Sequence, residues 1–245
     1  MSELLSQERF GGEDLWIVTT KPEEPGRTGE VNVDRLGSEL AAATTELAGR
    51  GGGSLFWWVT APSAGHALAA EQAGFEPHRR LHRMERPLPV TDEPYTLGWR
   101  PFRPGLDDTE WLEVNRLSFA AHPNQAKMSE EDLEQAKAEA WFNPDGFLLS
   151  FADDQMSGFC WTKIHPDDHN PIGEIYVIGA HPNHHGRGLG RSLVLAGLDW
   201  LADQSVKTAM LYVEADNEAA VRLYLRLGFE VVHDFRAWSR VVAPV

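Results

Sequence analysis

The chain has 245 residues, enough for one domain of ordinary size and part of a second. Its 42% hydrophobic and 24% charged content is that of a globular protein with a buried core. Twenty-two Lys and Arg against 37 Asp and Glu leave a net charge of −15, which speaks against a nucleic-acid or anionic-membrane surface but leaves room for an anion in a local pocket. The single cysteine, Cys160, excludes an intramolecular disulfide and a cysteine-built zinc site. The polar start MSELLSQERF lacks a signal-type apolar region, and no apolar run approaches the roughly 20 residues of a membrane helix, so a cytoplasmic protein is expected.

In chain order, the first patterned segment is 55–76, which reads as strand, capped turn, helix, glycine stop and strand. Residues 86–98 (RPLPVTDEPYTLG) carry three prolines and no helical period, and read as a linker. The expected organisation is therefore 1–86, a linker 87–98, and a domain of about ordinary size at 99–245. Within that domain 99–103 reads as a strand, and 107–119 and 129–141 as helices, the second opened by Ser129 with acidic residues behind it. Segments 146–152, 157–165 and 174–180 read as strands, the first two joined by a turn at Asp153-Asp154-Gln155. Leu189, Leu193, Ala196, Trp200 and Leu201 give 188–202 helical spacing, 209–214 reads as a strand, and 217–227 as a helix capped by Asn217 and stopped at Gly228. Alternating strands and helices predict an α/β fold with a mixed sheet.

Laid over itself at a displacement of 154 residues, the chain matches Trp58 to Tyr212, Val59 to Val213, Ala61 to Ala215 and Gly74-Phe75-Glu76 to Gly228-Phe229-Glu230. The shared order of elements identifies an internal repeat.

Two motifs carry chemistry. His185-Gly186-Arg187-Gly188-Leu189-Gly190-Arg191 follows a strand and opens a helix, whose first N–H groups lack internal partners, so the turn suits an anion, with Arg187 or Arg191 adding charge. The loop lies mid-domain, which disfavours a dinucleotide site, and no Gly-Lys-Ser/Thr is present. The second motif, Asn217-x-x-Ala220-x-x-x-Tyr224-x-x-x-Gly228-Phe229, puts Ala220, Leu223, Tyr224 and Leu227 on one helix face.

In this order and distance the two motifs resemble the GNAT N-acetyltransferase superfamily. The runs FAAHPNQ (119–125), WFNPDG (141–146), GFCWTK (158–163), GEIYVIG (173–179) and MLYVEADN (210–217) resemble the mycothiol synthase family in particular. Its members are tandem GNAT proteins that acetylate the cysteinyl amine of a glucosaminyl-inositol conjugate. The likeness covers nearly all of 99–230 and the MERPL junction at 84–88. It implies a GNAT fold in tandem with a degenerate, incomplete N-terminal GNAT-like half, acetyl-CoA as co-substrate without a metal, and a small-molecule amine acceptor. It implies neither a nucleic-acid nor a membrane partner, and a monomer is expected. Coenzyme contacts are implied at Ile178, Gly179 and Ala180, along His185–Arg191, and at Asn217, Ala220 and Arg222. Acceptor contacts are implied at Asn124, Lys163, Glu174 and Tyr212.

Three departures stand out. His185 replaces the usual Arg or Gln of the loop, and Asn124 replaces the family's Glu. Residues 1–86 would begin midway through a first domain and lack a glycine loop, with Ala70 at the position of Tyr224 and Ser63 at that of Asn217. The first copy is expected to be catalytically silent and to buttress the second.

Transfer of acetyl from a thioester to an amine needs a neutral amine, a stabilised oxyanion and a proton for the leaving thiolate. Glu174 is the expected base, directly or through water, and Tyr224 the expected acid. A backbone N–H near Ile178 would polarise the carbonyl, and Tyr212 would orient the acceptor. A GNAT enzyme with another amine acceptor and a non-catalytic acyl-CoA-binding module remain as alternatives. His181, His184 and His185 are spaced along a turn before the glycine loop, where solvent or phosphate contact is expected rather than a metal; His165, Asp167, Asp168 and His169 read as a polar loop, Cys160 as a core thiol, and Trp57-Trp58 as packing between the two halves.

Overall fold

The computed structural model describes residues 5–10, 13–20, 31–91, 93–120, 125–167 and 170–245. The chain forms two units: one from the segments up to Arg83 with Val213–Glu218 and Val231–Val245, the other from Met84–Tyr212 and Ala219–Glu230.

The first unit begins with β1 (Leu5–Phe10) and β2 (Glu13–Val18), an antiparallel pair. Next come α1 (Val33–Gly49), β3 (Gly53–Thr60), α2 (Ala64–Gln72) and β4 (Glu76–Pro87). Asn32 caps α1 by accepting Arg35 N–H at 3.0 Å, and Leu36, Leu40, Ala43 and Leu47 form its single buried face. Ser63 and His66 form the cap of α2, and Gly74 takes φ +71° in the turn to β4. The last strand of the chain, β10 (Glu230–Val242), lies antiparallel on β3, with Phe235 opposite Thr60 and Val242 opposite Gly53. Trp57 is fully buried against Trp238, ring centroids 5.3 Å apart, so this tryptophan does join the N-terminal half of the sequence to the C-terminal half. Trp58 has a different neighbour, the Arg79 guanidinium 5.9 Å above its ring.

In the second unit the strands run β5 (Trp99–Pro101), β6 (Phe147–Ala152), β7 (Gln155–His165), β8 (Ile172–Ala180) and β9 (Thr208–Glu214), neighbours in that order. All pair antiparallel except β8 with β9, which are parallel. Asp153 and Asp154 both have positive φ, 51° and 63°, giving the two-residue turn whose twist matches a hairpin. α5 (Leu189–Asp203) covers one face of this sheet. A methyl group at Gly197 would stand 2.6 Å from Cys160 Sγ, so only glycine lets α5 lie this close. α3 (Asp108–Ser118) covers the other face through Trp111, which is edge-on to Phe147 and Trp161.

α4 (Glu130–Ala138) opens with a capping box between Ser129 and Asp132, as the sequence predicts, but stops three residues early. Glu139 is extended, which releases Trp141 and Phe142 to pack on Trp161 at 5.7 and 5.8 Å. β5 is also shorter than expected, because Arg103 N–H turns to Asp107 Oδ2 at 2.7 Å instead of continuing the strand. Arg86 and Pro87 belong to β4, and the rest of the expected linker has no helix or strand among its described residues. α6 (Glu218–Arg226) ends in the predicted glycine stop, with Gly228 at φ +77° and Phe229 N–H donating to Tyr224 O at 3.0 Å.

Candidate active site

β8 and β9 pair only from Ile172–Glu174 against Thr208–Met210, although both strands continue. Beyond Glu174 the β9-facing edge of β8, which carries Ile178, Gly179 and Ala180, is thus a row of strand N–H and C=O groups that the β8–β9 ladder does not reach. Its other edge is held by β7, with Phe159 opposite Gly179 and Gly158 opposite Ala180. Gly179 is sterically required: a Cβ there would lie 2.8 Å from the Phe159 ring and 3.0 Å from Ser118 Cβ.

After β8 a tight turn at Pro182–His184 leads into the glycine loop. His181 Nδ1 accepts Asn183 N–H at 3.2 Å, and His185 Nε2 lies 2.9 Å from Ala180 O, so these histidines shape the turn. Gly186 and Gly188 have φ of +75° and +79°, and a Cβ on either would meet nothing within 4 Å. The glycines are therefore needed for backbone conformation, and the space above them is open, which fits a diphosphate lying against the backbone. Gly188 is the N-cap of α5, whose first internal bond runs from Ser192 N–H to Gly188 O, leaving the N–H groups of Leu189, Gly190 and Arg191 outside the helical ladder. The two arginines differ. Arg191 is tied to Glu93 and to Pro94 O, whereas Arg187 lines a cavity of about 240 Å³ with Thr96, His184, Leu189 and Ser192.

Glu174 is the third residue of β8 and is 7% exposed. Lys163 on β7 is directly opposite it, and His165 is its diagonal neighbour on the same face. His165 Nε2 is 2.7 Å from Glu174 Oε2. The Lys163 ammonium sits 4.5 Å over the Trp141 ring and 5.3 Å from that of Tyr176. Tyr176 is the extra residue of a β-bulge, since Trp161 pairs with Val177 and Thr162 with Ile175. Burial, then the Glu174 and Glu139 carboxylates, raise its pKa above the ordinary tyrosine value. Across the parallel pair Glu174 faces Met210, and Tyr212, two residues further along β9, is exposed.

Tyr224 on α6 is 7% exposed and packs on Phe229 with centroids 5.8 Å apart. Burial, with a smaller push from the nearby Cys160 thiol, holds its hydroxyl protonated well above the ordinary tyrosine range. Cys160 is fully buried and its pKa is pushed up to about 12 by burial, which matches an inert core thiol. Leu223 of α6 lies near Gly190, at 3.8 Å from where a Cβ would be, so α6 flanks the start of α5. On that helix Ala220 is half-buried and Arg222 exposed. Arg86, from the MERPL junction, binds the Leu227 carbonyl at the end of α6 and lies 5.9 Å from the Phe229 ring.

Asn217 lies in the 213–218 segment of the first unit, is exposed, and donates its N–H to Glu214 O at 3.0 Å. Asn124 lies outside the described residues, as do Asp168 and His169. Next to Asn124 in sequence, Gln125 is held by the buried Asn115: Asn115 Nδ2 donates to Gln125 O at 2.8 Å and Gln125 Nε2 donates to Asn115 Oδ1 at 3.0 Å. His165 is a strand residue rather than a member of a polar loop, while Asp167 does sit in one, accepting Asn170 N–H at 2.9 Å. The sequence does not single out His165 as a site residue, yet the structure sets it against Glu174. Its signal was the i, i+2 spacing with Lys163, which puts both on one strand face.

The model of the acetyltransferase (GNAT) family matches residues 111–229. The chain belongs to the acetyltransferase (GNAT) family, and its mixed α/β fold is that of the family. It is similar to the mycothiol acetyltransferase of Acidimicrobium ferrooxidans, 44% identical over 205 residues, covering 81% of this chain and 66% of that protein. It is also similar to the mycothiol acetyltransferase of Catenulispora acidiphila, 40% identical over 221 residues, covering 84% of this chain and 70% of that protein. The chain thus spans about two thirds of the length of these curated relatives. Among solved structures, a GCN5-related N-acetyltransferase from Sphaerobacter thermophilus superposes with a TM-score of 0.70 at 19% identity, covering 98% of this chain and 76% of that one. No helix among the described residues is long and apolar enough to cross a membrane.

Proposed function

We propose that the chain is an acetyl-CoA-dependent N-acetyltransferase whose acceptor is a small-molecule primary amine, the cysteinyl amine of cysteinyl-glucosaminyl-inositol. In this reading residues 99–245 are catalytic, 87–98 link, and 1–86 are a degenerate GNAT-like segment, in a cytoplasmic protein. The observation that carries it is the position of Glu174: a buried carboxylate at the point where β8 leaves β9, on the same strand that ends in the glycine loop. The name shared by the relatives supports the choice of acceptor.

Each step falls to a group of this chain. The open edge of β8 at Ile178–Ala180 offers backbone partners to an extended amide chain, and the N–H groups of Leu189, Gly190 and Arg191 face a diphosphate, with Arg187 as the nearby cation. Acetyl-CoA supplies the thioester. Glu174 takes a proton from the acceptor ammonium, directly or through water, so that the amine lone pair is available. A β8 N–H near Ile178 donates to the carbonyl oxygen as charge builds there. Tyr224, kept protonated by burial, gives its proton to the leaving thiolate and is reprotonated by the second proton that the acceptor nitrogen loses as the amide forms. Lys163, Tyr212 and Asn124 contact acceptor hydroxyls and the amide.

Mass spectrometry of the protein incubated with acetyl-CoA and a panel of amines tests the reading. A one-acetyl gain on the cysteinyl-glucosaminyl-inositol amine, ahead of free cysteine, glucosamine and peptide N-termini, is expected. Preference for another amine would overturn the acceptor, and no acetylation of any amine would overturn the enzyme.

A further inference from the structure

We infer that His165 is a positioning residue for the proton-accepting carboxylate: its Nε2 fixes Glu174 Oε2, so the amine proton is taken at Oε1. The inference rests on the acetyl-transfer reading and extends it to a residue which that reading does not use. The separation of 2.7 Å is that of a strong hydrogen bond to a carboxylate. The Glu174 side chain is 9% exposed and that of His165 39%, so the ring reaches from a wetter edge of the sheet to a carboxylate that water scarcely touches. A buried carboxylate without a partner is costly and free to rotate about its last torsion, and the diagonal strand position of His165 answers both problems. The residue directly opposite, Lys163, has its ammonium over the Trp141 and Tyr176 rings. That arrangement leaves the lysine facing the acceptor side while the histidine orients the base.

A double-mutant cycle on His165 and Glu174 tests this, with melting curves to confirm that each variant folds. His165→Leu, which removes the hydrogen bond, is expected to lower kcat about 10²-fold, the usual cost of a misplaced catalytic group, with the KM for acetyl-CoA unchanged. His165→Gln, which keeps a donor nitrogen, should recover most of that loss. On a Glu174→Gln background His165→Leu should cost almost nothing more, because the group it positions is gone. Unchanged kcat in His165→Leu overturns the inference, and so does an equal loss on both backgrounds, which would mark a general structural role. All arms use whichever amine the wild type acetylates. Turnover of a different amine overturns only the proposed acceptor, while a wild type that acetylates no amine overturns both proposals.

Discussion

Arg191, the last residue of the glycine loop, forms an ion pair with Glu93 and donates to Pro94 O at 3.0 Å. One of the two cations next to the exposed α5 amides is therefore already engaged by the segment before β5. Both side chains are 36% exposed, so the pair is worth about 0.2–1 kcal/mol.

Glu93→Ala removes that competition and a negative charge near the loop. Coenzyme A should then bind about 2- to 5-fold more tightly at low ionic strength, and the gain should shrink as salt screens it. Calorimetric titrations at two salt concentrations check this; weaker binding would show that Glu93 orders the loop rather than competing with the ligand.

Gly188 separates backbone strain from ligand space. Its φ of +79° means that any side chain costs roughly 1–2 kcal/mol of stability, yet a Cβ meets no protein atom within 4 Å. Gly188→Ala should lower the melting temperature and leave coenzyme A binding nearly intact. Gly188→Trp should lower it similarly and abolish binding, because the indole fills the space above the loop. Undiminished binding in the tryptophan variant would move the coenzyme elsewhere.

Tyr224→Phe should lower kcat about 10²–10⁴-fold with little change in coenzyme A affinity. The alkaline limb assigned to Tyr224 should lie above the ordinary tyrosine value of 10.0, since burial favours the neutral phenol. The stability effect has the same sign. Above pH 10 the unfolded chain gives up this proton before the folded one does, so Tyr224 costs stability as pH rises through that region, and the phenylalanine variant should lose less. Stopped assays and alkaline melting curves measure the two effects.

Asn124→Glu should lower the KM for the acceptor without much change in kcat, because a carboxylate accepts a stronger hydrogen bond from a sugar hydroxyl than an amide does. An unchanged KM would remove this position from the acceptor site.

Asp107 is 2% exposed; burial alone would raise its pKa, but hydrogen bonds from Arg100, Arg103 and the Arg103 N–H outweigh burial and hold the carboxyl well below its usual 3.8. Its contribution to stability is complete above that value and is lost as pH falls below it. Asp107→Asn takes their shared anion from Arg100 and Arg103, whose side chains are 33% and 56% exposed, and should cost about 1–3 kcal/mol at neutral pH. Acid and urea melts of the two proteins should converge below pH 3.8.

Local chemistry was legible in the sequence. The glycine loop, the Asp153-Asp154 hairpin, the Ser129 cap and the Gly228 stop each follow from residue types a few positions apart, and the structure has all four. Pairings across strands were not legible. Nothing in the periodicity of β7 or β8 says that Tyr176 is an extra residue, or that the resulting register sets His165 beside Glu174. The tie from Arg191 to Glu93 spans 98 residues of sequence, and the partner of β10 lies at the other end of the chain. Helix ends failed where tertiary packing competed, as when Trp141 left the expected helix for Trp161.

The pairing of β3 with β10 imposes an order of events on synthesis. Trp57 meets Trp238, and Gly53 meets Val242, so the N-terminal core lacks a wall until residues 235–242 have been made. At about 5–20 residues per second, β3 emerges roughly 10–40 s before its partner strand. During that interval the apolar residues of α1 and β3 that pack with Trp238 and Val242 lack that cover.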